Sequence, residues 1–119
     1  MMVNNYKDLV VWQKAMDLVV ETYKIARLLP REELYGLSDQ MRRAAVSVPS
    51  NIAEGQGRNS TKEFVKYLSI ARGSNAELQT QCLICQRLGY VKEEELIKVM
   101  TLSVEIAKIL NTLINKLTN

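Results

Sequence analysis

Cys82 and Cys85 stand as Cys-x-x-Cys, the spacing of a redox dithiol or of half a zinc site. The chain has only these two cysteines and no histidine, whereas a structural zinc site takes about four ligands. A metal would therefore need carboxylates or a second chain, and no metal or cofactor is expected. The pair also lies in the apolar, helix-like run Gln81-Cys82-Leu83-Ile84-Cys85 rather than at a strand-to-helix turn, so both read as small core residues. The lack of histidine removes Ser-His-Asp and Cys-His nucleophile pairs and the usual proton shuttle near neutral pH. Glu54 and Glu77 are the remaining candidates for acid–base hydrolysis. No nucleophile or metal set accompanies them, and Glu54 is expected to cap a helix or pair with an arginine. Gly55-Gln56-Gly57-Arg58 looks like a fragment of a phosphate loop but has no Gly-Lys-Ser/Thr ending, which speaks against nucleotide binding. These residues point away from an enzyme.

Charge is the stronger signal. Residues 1–36 carry five basic and five acidic side chains, and residues 76–119 again five of each, so the net +3 lies wholly in 37–75. There Arg42, Arg43, Arg58, Lys62, Lys66 and Arg72 face only Asp39, Glu54 and Glu63. Ser47, Ser50, Asn51, Gln56, Asn59 and Ser60 in the same segment are suited to phosphate contact. Repeated around a symmetric assembly, such a patch would steer nucleic acid and hold it by counterion release. The alternative is that the same arginines pair with carboxylates at helix ends or between subunits. No zinc finger, basic zipper, aromatic RNA-recognition motif or short helix-turn-helix is present. The few aromatics lie mostly on apolar stripes, so any recognition would be led by backbone and shape.

Four helices must position these residues, over about 9–29, 35–54, 60–88 and 93–117. Val11, Ala15, Leu18, Thr22, Ile25 and Leu29 fall at three- and four-residue steps, closed by Pro30. Leu37, Met41, Ala44, Ala45, Val48 and Ile52 mark the second helix, with Pro49 read as a kink or short break. Ser60-Thr61-Lys62-Glu63 has the form of a capping box, and Phe64, Leu68, Ala71, Asn75, Leu78, Cys82 and Cys85 follow it as far as a C-cap near Gly89. Gly73, inside that helix, predicts close approach of a neighbouring helix. Leu96, Val99, Ser103, Ile106, Leu110, Leu113 and Leu117 form a seam with a period near 3.5, behind Glu93-Glu94-Glu95, whose charge suits a helix N-terminus. Helices of this length with short connectors predict an antiparallel up-down bundle.

A chain of 119 residues, 47% hydrophobic and 24% charged, is sized and composed as one globular domain. It has no apolar run long enough to span a membrane. Its start, MMVNNYKDLVVW, is unlike a signal-peptide core, so a cytoplasmic location is expected. The helices carry more apolar surface than one small bundle can cover. Ile97, Met100, Leu102, Val104, Ile109 and Ile114 lie off the seam of the last helix, and Tyr67, Ile70, Leu83 and Ile84 add to the third. Homo-oligomerisation is the economical way to bury them.

Longer stretches of the chain have a familiar form. Asp8-Leu9-Val10-Val11-Trp12-Gln13-Lys14-Ala15, Tyr35-Gly36-Leu37 with Gln40, and Arg42-Arg43-Ala44-Ala45-Val46-Ser47-Val48-Pro49-Ser50-Asn51-Ile52-Ala53-Glu54-Gly55 resemble the four-helix-bundle family named after 23S rRNA intervening sequences. Lys62-Glu63-Phe64, Ala71-Arg72-Gly73-Ser74, Glu77-Leu78, Thr80-Gln81 and Leu88-Gly89-Tyr90 extend the similarity over nearly the whole chain. The resemblance implies a bacterial, left-handed four-helix bundle that assembles into a ring-like homo-oligomer, a pentamer. Some members are encoded within large-subunit ribosomal RNA genes, and distant relatives accompany reverse transcriptases of diversity-generating retroelements, where a basic ring is implicated in nucleic-acid binding. Most members have no established biochemical role, so the resemblance implies fold and assembly more than function. The expectation is a non-enzymatic oligomer that binds structured RNA or DNA through Arg42, Arg43, Arg58, Lys62, Lys66 and Arg72. The alternative is a protein-interaction scaffold with an unidentified protein partner.

Overall fold

Apolar residues at three- and four-residue steps coil into four α-helices in the computed structural model, which describes residues 5–119. These are α1 (Val10–Ala26), α2 (Leu37–Gln56), α3 (Thr61–Arg87) and α4 (Ile97–Thr118). Single 3-10 turns at Tyr6–Asp8, Arg31–Glu33 and Glu93–Leu96 lead into α1, α2 and α4, and no strand occurs among the described residues. Residues 1–4, the beginning of the stretch judged unlike a signal peptide, lie outside the described residues.

Each helix turns its apolar stripe inward. Val11, Ala15, Leu18, Thr22 and Ile25 of α1 are buried against Met41, Ala44, Ala45, Val48 and Ile52 of α2 and Leu68, Ala71, Leu78, Cys82 and Cys85 of α3. On α4 the buried line runs Val99, Ser103, Ile106, Leu110, Ile114. The expected seam drifts here, because a straight helix repeats every 3.6 residues and not every 3.5. Ile114 therefore replaces Leu113, which is half-buried. Of the buried polar side chains, Asn75 and Ser103 satisfy each other. Asn75 Nδ2 donates to the Ser103 carbonyl at 2.9 Å, and the Ser103 hydroxyl donates to Asn75 Oδ1 at 2.7 Å. Gln79 Nε2 donates to the same hydroxyl at 2.8 Å, so α3 and α4 have one register in which no member is orphaned.

The helix ends follow from local chemistry. Ser60 Oγ accepts the Glu63 N–H at 3.2 Å, the hydroxyl half of the expected capping box. At the other end of α3, Gly89 takes φ +78°, the Gly89 N–H bonds the Gln86 carbonyl and the Tyr90 N–H bonds the Cys85 carbonyl, which is a Schellman motif. Glu33 joins two connectors. Its Oε1 accepts the Leu37 N–H at the start of α2, and its Oε2 accepts the Tyr90 hydroxyl at 3.0 Å. Pro49 does not break α2, which continues to Gln56. The Asn51 side chain donates back to the Ser47 carbonyl and hydroxyl at 2.8 and 2.9 Å, stitching the turn across the proline.

The close approach expected at Gly73 lies elsewhere. A Cβ on Gly73 would meet nothing within 4 Å, whereas one on Gly55 would stand 2.6 Å from Tyr67 Cβ and 3.1 Å from Phe64 Cδ1. Gly55→Ala should force α2 and α3 apart and cost about 1–3 kcal/mol, the range for overpacking. Gly73→Ala, at an exposed helical position, should gain up to about 1 kcal/mol. Chemical denaturation of the two variants checks both signs.

Both cysteines are buried free thiols, and Cys85 Sγ lies 3.4 Å from Met41 Sδ. Burial, with the neighbouring Cys85 adding to it, pushes Cys82 up from its ordinary 9.0 to about 12. Burial and then the Glu33 charge push Cys85 up to about 11. A thiol whose pKa is raised by folding supports the fold below its ordinary value and stops doing so as the pH climbs through the folded value. That support should be intact at neutral pH and drain away between 9.0 and about 12. A disulfide reagent at neutral pH should label neither thiol in the native protein and both after denaturation; ready labelling of the native protein would show that the core does not hold them.

Candidate nucleic-acid interface

The tight crossing at Gly55 sets one end of α2 against the first turns of α3, and three of the basic residues collect there. Gly57 caps α2 through its N–H to the Ala53 carbonyl, and the chain turns directly into Arg58. Arg58 Nη2 donates to Glu54 Oε2 at 2.8 Å and to the Tyr67 hydroxyl at 2.9 Å, while its guanidinium lies 5.1 Å from the Tyr67 ring centroid. Lys66 Nζ lies 5.9 Å from the same ring. Lys62, four residues earlier on the same side of α3, is exposed. Tyr67 thus gathers two cations against one aromatic ring, an arrangement favoured by the ring's negative face. The first backbone N–H groups of α3 add positive potential beside Lys62.

The other expected contacts do not join this corner. Arg43 is open, its side chain 79% exposed and its Nη1 3.9 Å from Asp39, a separation at which an exposed pair contributes little. It borders a groove of about 300 Å³ between α2 and α3, shared with Gln40, Ser47, Ser74 and Glu77. Arg42 is turned toward α1 and the connector that follows it: Nη2 donates to the Leu34 carbonyl of the connector at 3.3 Å, and the guanidinium lies 5.9 Å from the ring of Tyr23 on α1. Arg72 is turned toward α4 and donates to Asn111 Oδ1 at 3.1 Å. The six basic residues therefore fall into a corner of three, one open arginine midway along the α2/α3 groove, and two that face opposite sides.

Several of the polar side chains expected to meet phosphate are engaged within the fold. The Ser47 and Ser74 hydroxyls share a hydrogen bond at 2.8 Å, Asn51 donates to Ser47, and Ser60 caps α3. Ser50, within α2, and Asn59, in the turn after it, are exposed. Glu54 pairs with Arg58 at 2.8 Å, the arginine partner expected for it. Glu77 lies in the α2/α3 groove beside Arg43, so the two carboxylates are not brought together. Sequence reasoning missed Tyr67, which was counted with the surplus apolar residues. The signal was present in its placement seven residues after the Ser60 cap, on the side of α3 that faces Gly55.

A family model described as 23S rRNA-intervening sequence protein matches residues 7–112. Among solved structures, one from Bacteroides thetaiotaomicron VPI-5482, described as a protein with unknown function from the S23 ribosomal protein family, is similar at a TM-score of 0.82. It is 26% identical and the match covers 88% of this chain and 98% of that one. No curated protein matches the chain.

Proposed function

The chain belongs to the 23S rRNA-intervening sequence protein family, and from that premise we propose a non-enzymatic, self-associating protein that holds structured RNA or DNA by its phosphates. The observation that carries this reading is the corner where Arg58 and Lys66 meet on Tyr67, with exposed Lys62 one turn before Lys66, in the one segment of the chain with excess positive charge. Arg43 extends the same charge along the α2/α3 groove. Contacts of this kind read a polyanion's backbone and not its sequence, so affinity should be strong at low salt and weak in base preference.

The reading includes an up-down order of the four helices and a ring-like assembly, a pentamer, acting in the cytoplasm. Supporting the order, partners step in opposite directions along successive helices: Ala26 with Ser38 and Tyr23 with Arg42, Ser47 with Ser74 and Gly55 with Tyr67, Asn75 with Ser103 and Arg72 with Asn111. Supporting self-association, Val20, Ile70, Leu83, Ile84, Ile97 and Val104 are all exposed. A scaffold for an unidentified protein partner is the second reading. One observation favours it: Arg42, Arg58 and Arg72 are already held by groups of their own chain.

Arg43→Glu combined with Lys62→Glu separates the readings when binding and assembly mass are measured together. Nucleic-acid binding at low salt should fall at least about a hundredfold, with helicity and mass unchanged, since two attractive contacts become repulsive. Unchanged binding would overturn the proposal. Loss of the assembly instead of the binding would favour the scaffold.

A further inference from the structure

Arg58 stands in the basic corner with its most useful donor already taken. A guanidinium offers a phosphate two pairs of parallel N–H bonds, Nε with Nη2 and Nη1 with Nη2, and paired contacts of that kind are the strong ones. Nη2 belongs to both pairs. It has two hydrogen bonds to match its two N–H groups, one to Glu54 Oε2 at 2.8 Å and one to the Tyr67 hydroxyl at 2.9 Å. Nε and Nη1 make no hydrogen bond among the described residues. A phosphate arriving at Arg58 therefore finds only single donors until one of the two partners lets go.

The partners differ in how readily they leave. Tyr67 is half-buried, its Cβ lies against the backbone at Gly55, and its ring carries the guanidinium at 5.1 Å. Glu54 lies in the last turn of α2 with its side chain 53% exposed, free to swing into solvent. Its carboxylate also repels an incoming phosphate, and an exposed ion pair four residues apart is weak. Glu54 is thus the partner that a phosphate displaces, and Tyr67 the one that keeps Arg58 in place.

We propose that Glu54 is a built-in competitor for phosphate at Arg58: it occupies the guanidinium in the free protein, is displaced when nucleic acid binds, and so sets the affinity of the corner. The proposal rests on the phosphate-binding reading and names the residue that tunes it. Glu54 does not touch the ligand and acts through Arg58. The tie of Arg58 to its own chain then belongs to the resting state of the site, and the bound state exchanges it for a phosphate. Lys62 and Lys66 have no ion-pair partner among the described residues, so the competition falls on Arg58 alone.

The test is a mutant cycle on the full chain, read as affinity for a labelled RNA hairpin and a labelled DNA duplex at low salt, with circular dichroism to follow helicity. Glu54→Ala should bind about three to five times more tightly than the wild type, the strength of an exposed ion pair expressed as an equilibrium ratio. In an Arg58→Gln background the same substitution should change affinity by less than about twofold, because the donor that Glu54 competes for is gone. A merely structural role for Glu54 would not produce a gain that depends on Arg58. Unchanged or weaker binding by Glu54→Ala with helicity intact, or a gain of equal size without Arg58, would overturn the competition and leave the phosphate-binding reading standing. Failure of both the wild type and Glu54→Ala to bind either probe would overturn the two together.

Discussion

No side chain fits at position 55. The backbone of α2 passes so close to Phe64 and Tyr67 that a Cβ there would stand 2.6 Å from Tyr67 Cβ, and this contact fixes how the α2–α3 turn is built. With the helices so close, Arg58 in the turn just past α2 can reach back to Glu54 on α2 and lie across the Tyr67 ring on α3. Lys66 shares that ring and Lys62 follows the same side of α3. A pair of helices held further apart would leave Arg58 a solvated side chain with no shared platform. The glycine thus converts dispersed charge into an arranged group of cations.

Farther along the bundle a different constraint takes over. Asn75, Gln79 and Ser103 form a buried network whose donors and acceptors meet in one relative position of α3 and α4. A slip of one turn would strand them without partners, at a cost that apolar residues would not impose. Lys14 and Glu105 add a link between α1 and α4 at 2.6 Å, partly exposed and so of modest energy. Specificity of packing therefore comes from a few polar contacts, while most of the stabilisation comes from the surrounding Leu, Ile, Val and Met.

The helices and their inward faces were legible because three- and four-residue spacing is a local property. Val11 to Ile25, Met41 to Ile52 and Leu68 to Cys85 are buried along the lines their periodicity marks. What could not be read was which residue of one helix meets which of another. Gly73 and Gly55 look equivalent as letters, and only the crossing of α2 and α3 distinguishes them. Asn75 and Ser103 were visible as polar residues on apolar stripes, but their pairing spans 28 positions. The candidate interface divided in the same way. The excess charge in residues 37–75 was plain from counting, yet the corner at Arg58 and the ties of Arg42 and Arg72 to Leu34 and Asn111 depend on how neighbouring elements are set against one another.

The central claim is that this corner acts as a set of phosphate contacts, and such contacts have a thermodynamic signature. Each neutralised phosphate releases counterions, so affinity falls with salt with a logarithmic slope of about −0.9 per contact on duplex DNA. The most direct measurement is that slope for the intact protein beside Arg58→Gln and Lys62→Gln. The account predicts a slope steeper than about −2 for the intact chain, shallower by about 0.9 for each cation removed. An affinity that does not respond to salt, or a slope that stays the same without those side chains, would contradict it.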